Sequence, residues 1–201
     1  MVLMVVFTLQ YSVYLAMSAV LNSLVEPYDY TPTDATIIGV AFVCAGMAGS
    51  ILFSFILDKY HCYVALLRVI TLFTSILMAA ILYTLPSRNT LLLSINMGLL
   101  GLFNVPIIPI GFSLASEITF PVSVTLAQGI FLLLTQSYGT GLSYLATYII
   151  EQMNRPLTVI GIVLCQFILS FLLSFFVKED LRRLKMGKEM DVAGNGHTDN
   201  R

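Results

Sequence analysis

Residues 62–84, CYVALLRVITLFTSILMAAILYT, run for 23 positions with Arg68 as the only charged side chain. A bilayer core is roughly 30 Å thick and an α-helix rises about 1.5 Å per residue, so about 20 apolar residues make one crossing. This stretch meets that length, and its neighbours do the same. Residues 2–24 and 35–57 precede it, and 91–116, 122–149 and 157–177 follow, separated by short polar turns. Backbone groups inside lipid must bond within their own segment or around a closed barrel, and unbroken apolar runs are not the alternating pattern of barrel strands. The expected fold is an all-α membrane protein, with six transmembrane helices forming one bundle over residues 1–177.

Composition points the same way. Hydrophobic residues make up 58% of the 201-residue chain and charged residues 10%, and mean hydropathy is +0.90. Water-soluble domains carry about a quarter charged residues, so a soluble fold is excluded. The net charge of −1 matters less than its placement. Lys178, Arg182, Arg183, Lys185, Lys188 and Arg201 follow the last span and Lys59 follows the second, whereas the opposite turns hold Arg88 and Arg155. The bias of basic residues toward the cytoplasm puts both termini there, with residues 178–201 a basic, partly disordered tail. Residues 1–25 lack the basic start and small-residue cleavage site of a signal peptide and are expected to be a true span.

Turn chemistry marks the boundaries. Glu26–Asp34 is a polar external loop in which Thr33 or Asp34 is expected to cap the second helix. Cys44, Cys62 and Cys165 form no CxxC pattern, so they are expected to be small buried packing residues rather than metal ligands or a disulfide.

Two spans carry polar faces. At 100° per residue, Gln10, Tyr11, Tyr14, Ser18 and Asn22 share one arc of the first span. Thr125, Gln128, Thr135, Gln136, Gly139, Thr140, Ser143 and Thr147 share one arc of the fifth. Unsatisfied polar groups in hydrocarbon cost several kcal/mol each, so both faces must meet protein or a watery cavity. Interhelical hydrogen bonding is one use for such a stripe, and cavity lining is the other. Stripes running the depth of the membrane on two helices suggest one shared cavity.

The fourth span is interrupted at Asn104-Val105-Pro106-Ile107-Ile108-Pro109-Ile110-Gly111, where each proline removes a backbone donor. A double break is expected, serving either as a static kink or as a hinge shaped by Asn104 and Gly111. Asp58, Arg68 and Glu117 lie toward the cytoplasmic ends of their spans, either as a gating latch or as separate topology anchors. No carboxylate, lysine or histidine sits near mid-membrane, which suits a passive carrier rather than proton coupling. A weakly hydrated organic cation could be held by the faces of Tyr11 or Tyr14 through cation–π attraction.

The residues then resemble a known family. Ala45-Gly46-Met47-Ala48-Gly49-Ser50-Ile51-Leu52 with Leu57-Asp58, Pro109-Ile110-Gly111-Phe112 with Glu117-Ile118-Thr119-Phe120-Pro121-Val122-Ser123, and Asp180-Leu181-Arg182-Arg183 look like the feline leukaemia virus subgroup C receptor-related transporters of the major facilitator superfamily. The resemblance implies the carboxy-terminal half of a twelve-helix transporter, at the plasma membrane, and an association with choline and ethanolamine uptake or haem export. It implies that Gln136 contacts the choline head group. The family's tyrosine of the seventh helix falls on Leu15 here, with Tyr14 beside it, and the cage tryptophan would belong to the amino-terminal half.

Together these readings give a facilitative carrier of a small organic cation working by alternating access, with haem export as the rival. Gln136, Tyr14, Tyr11, Gln10, Ser18 and Asn104 would bind substrate. Asp58, Arg68, Glu117, Pro106, Pro109 and Gly111 would gate. The expected partners are the small-molecule substrate, the lipid bilayer and an amino-terminal six-helix half or a second copy, with no cofactor, metal or nucleic acid. A truncated, non-transporting fragment that docks on a longer relative is a further class. An enzyme is not expected, because His61 and His197 stand in a turn and in the tail, and neither a metal-protease nor a GxSxG motif is present.

Overall fold

A computed structural model describes residues 2–60, 63–118, 123–153 and 155–177. Among the described residues seven α-helices follow one another: α1 Val2–Val25, α2 Pro32–Tyr60, α3 Tyr63–Thr84, α4 Thr90–Asn104, α5 Ile107–Ile118, α6 Val124–Met153 and α7 Pro156–Ser174. A 3-10 turn, Glu26–Tyr28, joins α1 to the loop before α2. Helix α1 runs through the middle, packed along α6 and α7, while α2 lies against α4 and α3 bridges α4 and α7.

Among the described residues five helical stretches are long and apolar enough to cross a membrane: Val2–Tyr28, Pro32–Leu57, Tyr63–Thr84, Thr90–Ser113 and Pro156–Ser174. The expected sixth, α6, has 30 residues but falls outside that set, because its threonines, glutamines and glycines dilute its hydropathy. That dilution is the polar face already noted.

The fourth expected span is two helices. Pro106 has no N–H to offer Leu102, so α4 stops at Asn104 and α5 restarts at Ile107 through tight turns, Ile108 N to Val105 O at 3.1 Å and Ile110 N to Pro106 O at 3.3 Å. There is one break rather than two. Pro109 is the third residue of α5, in a first turn where the N–H would have no intrahelical partner anyway.

The cap of α2 is also displaced from expectation. Thr31 takes that role: its Oγ1 accepts from Asp34 N at 3.2 Å, and the Asp34 carboxylate accepts from Thr31 N at 2.9 Å in return. The pair forms a capping box. The same carboxylate accepts from Thr90 Oγ1 at 3.1 Å, tying the starts of α2 and α4. Asn89 caps α4 through bonds from Leu91 N and Leu92 N. Cys44 and Cys165 are exposed free thiols rather than buried ones, on helix faces where a small apolar side chain suits lipid. Cys62 and the tail from 178 onward lie outside the described residues.

This end of the bundle is further clasped by Tyr30, whose hydroxyl donates to Leu85 O at 3.2 Å. Burial raises that phenol's pKa above the ordinary tyrosine value, so it stays a donor. Asp29 and Arg88, both in left-handed backbone, pair at 2.7 Å but remain 72% and 67% exposed. Tyr30→Phe is therefore expected to lower stability by about 1 kcal/mol. Arg88→Ala should change it by no more than a few tenths, about what exposed ion pairs give. Thermal unfolding of the two variants in detergent checks the contrast.

Buried apolar residues form two clusters. The upper one, near the clasp, takes Val13 to Val25 of α1, Met78 and Ile81 of α3, Leu93 to Leu100 of α4 and Leu142 to Ile150 of α6. The lower one takes Leu3 to Phe7 of α1, Tyr63 to Ile70 of α3, Ile107 and Ile110 of α5 and Phe131 of α6. Between them α1, α3, α4 and α6 carry buried polar residues: Gln10 and Ser12, Thr71, Thr74 and Ser75, Asn104, and Thr135. The bundle has a polar waist at mid-depth.

Candidate functional site

Contacts fix which way each helix faces. On α1, Phe7, Tyr14 and Leu21 recur every seven residues and form one edge: Phe7 lies on Gly111, Tyr14 stacks on Phe42, and Leu21 meets Gly39. Ser12 and Leu15 form another edge against Gly139 of α6. Between these edges α1 presents Tyr11, Ser18 and Asn22, the last two exposed. This is an open strip flanked by α2 on one side and α6 on the other.

Helix α6 runs parallel to α1, since Phe7 meets Phe131 and Leu15 meets Gly139. Its buried face of Thr135, Gly139, Leu142 and Ala146 is turned to α1. Tyr138 leaves one flank and donates to Gln166 of α7 at 3.3 Å. Gln136, Thr140 and Ser143 leave the opposite flank, and Gln136 and Thr140 are exposed. Because α7 also packs on the far side of α1, through Gln166 to Leu9 O at 2.7 Å, the strip of α1 and the flank of α6 open to the same side. Gln136, between Phe131 and Gly139, stands at the level of Tyr11.

Aromatic rings line this opening. Tyr11 and Tyr14 stack with centroids 5.9 Å apart, and Tyr14 and Phe42 do so at 5.8 Å. Phe7 continues the row below Tyr11 at 5.7 Å. Stacked planes sit about 3.5–4 Å apart, so centroids this distant mean rings slid sideways by roughly 4 Å, which leaves part of each face uncovered.

Two of the remaining expected site residues, Gln10 and Asn104, separate from this group. Gln10, although on the same arc, is fully buried and turned to α3, where its Nε2 donates to Thr74 Oγ1 at 3.5 Å. Asn104 is fully buried at the end of α4. The stacking of Phe73 on Phe103 at 4.8 Å brings α3 and α4 level there, so Thr74 and Asn104 face inward at one depth. Neither amide lines the opening, because the waist of the bundle closes over both. Gln10 Oε1 and both side-chain atoms of Asn104 have no protein partner, and neither does Thr135 Oγ1. Ser18 is exposed but its hydroxyl is committed to Leu15 O at 2.8 Å.

Of the expected gate, Arg68 sits at the carboxyl end of α7. Its Nε donates to Ser174 O at 3.5 Å and its guanidinium lies 5.3 Å from the Phe175 ring centre, where a cation offsets the helix dipole. The side chains of Asp58 and Glu117 lie outside the described residues. Gly111 is not at the kink but inside α5, where any Cβ would overlap the Phe7 ring. Among the described residues no group of His, Cys, Asp and Glu could hold a metal.

Sequence reading passed over Gln166. It is the one amide side chain of α7, buried, donating to Leu9 O and to Ser12 Oγ at 2.9 Å while accepting from Tyr138. With Ser170 and Ser174 it recurs every four residues, a spacing that could have identified an inward face.

No protein-family profile matches the chain. Individual proteins do. An uncharacterised major-facilitator-type transporter of Caenorhabditis elegans is 30% identical over 185 residues, covering 92% of this chain and 31% of that protein. The human choline/ethanolamine transporter FLVCR2 is 30% identical over 189 residues, 93% of this chain and 36% of its own length. The mouse choline/ethanolamine transporter FLVCR1 is 28% identical over 183 residues, 90% and 32% respectively. The chain spans about a third of the length of these relatives. Matched over nine-tenths of its length, and built as an apolar helical bundle, the chain is a homologue of the feline leukaemia virus subgroup C receptor-related transporters of the major facilitator superfamily and a multi-pass integral membrane protein.

Proposed function

We propose that the chain supplies one bundle of a facilitative, alternating-access carrier for a small organic cation such as choline or ethanolamine. The supporting observation is the ladder of Tyr11, Tyr14 and Phe42 on the open side of α1, level with the uncharged flank of α6 that carries Gln136. Partly uncovered aromatic faces attract an ammonium ion by up to about 2 kcal/mol when water is excluded. A carboxamide can accept from a hydroxyl or an ammonium proton. The related transporters named for choline and ethanolamine favour this chemistry over haem.

In the same reading both termini are cytoplasmic and the chain resides in the plasma membrane, with basic residues after α7 and at Lys59 on the inner side. Spans 2–24, 35–57, 62–84, 91–116, 122–149 and 157–177 cross the bilayer, and the open strip of α1 and α6 faces an amino-terminal half or a second copy. Asn104 and the break at Pro106 allow α4 and α5 to bend, with Asp58, Arg68 and Glu117 at the inner end as the gate.

Cells expressing the chain are expected to take up labelled choline in a saturable manner without sodium or proton gradients. Uptake should drop at least fivefold in Gln136→Ala and in Tyr14→Ala and survive in Tyr14→Phe, which keeps the ring. Uptake equal in all variants would remove the choline site from this opening. No uptake together with a single-copy mass in detergent would favour the non-transporting fragment.

A further inference from the structure

Next to the stacked rings the bundle encloses a cavity of about 170 Å³. Met17, Phe42 and Met97 are buried and floor it, Leu21 and Gly39 form a wall, and Ser18 and Val43 are exposed at its mouth. Phe42 is shared, since its ring both ends the Tyr11–Tyr14 ladder and lines the cavity. Ser18 is shared too, standing on the open strip of α1. The cavity is therefore a side chamber of the opening rather than a separate void.

Its chemistry is apolar. The hydroxyl of Ser18 is occupied by Leu15 O, and a water molecule needs two to four polar partners to settle in such a space. Engineered apolar cavities of about 150 Å³ stay dry and admit benzene. The thioethers of Met17 and Met97 adjust to an aromatic guest and interact favourably with its ring. Gly39 provides part of the room: a Cβ there would stand 3.3 Å from Leu21 Cδ2, and a larger side chain would enter the chamber.

We infer that this chamber receives one aromatic ring carried on the ammonium nitrogen of the ligand, so that the chain prefers benzyl-substituted ammonium ions to fully methylated ones. The inference rests on the cation reading of the preceding section. The cation is held at the Tyr11–Tyr14 ladder while the benzyl group leaves the open strip at Ser18 and stacks among Phe42, Met17 and Met97. Removing a phenyl ring from water is expected to tighten binding at least tenfold.

The test uses the full chain in lipid nanodiscs with three separate probes: tetramethylammonium, benzyltrimethylammonium and benzene, each measured by ligand-observed magnetic resonance. Benzyltrimethylammonium should bind at least tenfold tighter than tetramethylammonium, and benzene should compete with it. Gly39→Leu, which fills the chamber, should bring the ratio of the two ammonium affinities to about one while tetramethylammonium affinity stays as it was. Val43→Phe, which closes the mouth from an exposed position, should collapse the same ratio if the glycine variant does not fold. A ratio near one in the unaltered chain, or a high ratio that persists in these variants, overturns the side chamber and leaves the cation site standing. If neither ammonium ion binds, the cation reading itself fails and the inference falls with it, even where benzene still binds.

Discussion

Gly101→Leu is expected to abolish the folded bundle, and Gly101→Ala to destabilise it by about 3 kcal/mol, at the upper end of what overpacking produces. A Cβ at Gly101 would overlap the backbone carbonyl of Phe42, and one at Gly49 would overlap the carbonyl of Leu102. Helices α2 and α4 thus touch backbone to backbone at two points along one seam, one glycine on each helix. Lipid supplies no hydrophobic drive between helices, so their association depends on such close approach and the dispersion contacts it allows. The Leu102 carbonyl is also the one that Pro106 leaves without a donor, so Gly49 lets a Cα–H contact it where the helix cannot. Rigid peptide groups are the obstacle, and no side-chain rotation relieves the clash. Gly129, Gly141 and Gly161 are the internal controls, with nothing within 4 Å of an added Cβ. Alanine at these three should leave thermal stability in detergent unchanged or raise it slightly. Equal losses at Gly101 and Gly141 would show that helix propensity, and not the seam, governs the effect.

The second large effect is expected at Gln166. Replacing it with leucine removes two donated bonds and one accepted bond, and leaves the hydroxyls of Ser12 and Tyr138 to find other partners. Single interhelical hydrogen bonds in membranes average about 0.6 kcal/mol. Three that converge on one buried amide, with their partners stranded, should sum to about 2 kcal/mol. A double-mutant cycle with Tyr138→Phe separates the terms. The coupling should be a sizeable fraction of the total, because the Tyr138 bond passes through the same amide. Additive losses would mean that Tyr138 and Gln166 act independently. Since Gln166 joins α1, α6 and α7, its loss is also expected to loosen the register between Tyr11 and Gln136.

How far the sequence reveals this structure depends on the physics behind each feature. Long apolar runs are read directly, because hydrocarbon permits few alternatives, and the helices lie where those runs do. Pro106 and Pro109 look equivalent in the sequence, yet only Pro106 breaks the helix. Once the chain restarts at Ile107, Pro109 occupies a first-turn position that needs no donor. Thr31 was hidden behind Thr33 and Asp34 because the capping box is reciprocal, so its acidic arm resembles the cap. Periodicity placed Gln10 beside Tyr11 and Tyr14 on one arc. An arc gives a direction from the helix axis without naming the neighbour, and here α3 stands at Gln10 while the strip opens at Tyr11. Asn104 was legible as a residue of the break but not as a buried one, because burial is set by how neighbouring helices pack, which local sequence does not name. Gln166 was legible in principle from its spacing with Ser170 and Ser174.

The ring ladder has one more consequence, for spectroscopy. The chain contains no tryptophan, so tyrosine dominates its near-ultraviolet emission and the long-wavelength part of its near-ultraviolet dichroism, without the indole signal that normally masks it. Tyr11 and Tyr14 are close enough, at 5.9 Å, for their transitions to couple. If the proposed cation settles against them, it would perturb an intrinsic chromophore pair at the place of contact, and the unlabelled protein would serve as its own optical sensor of occupancy.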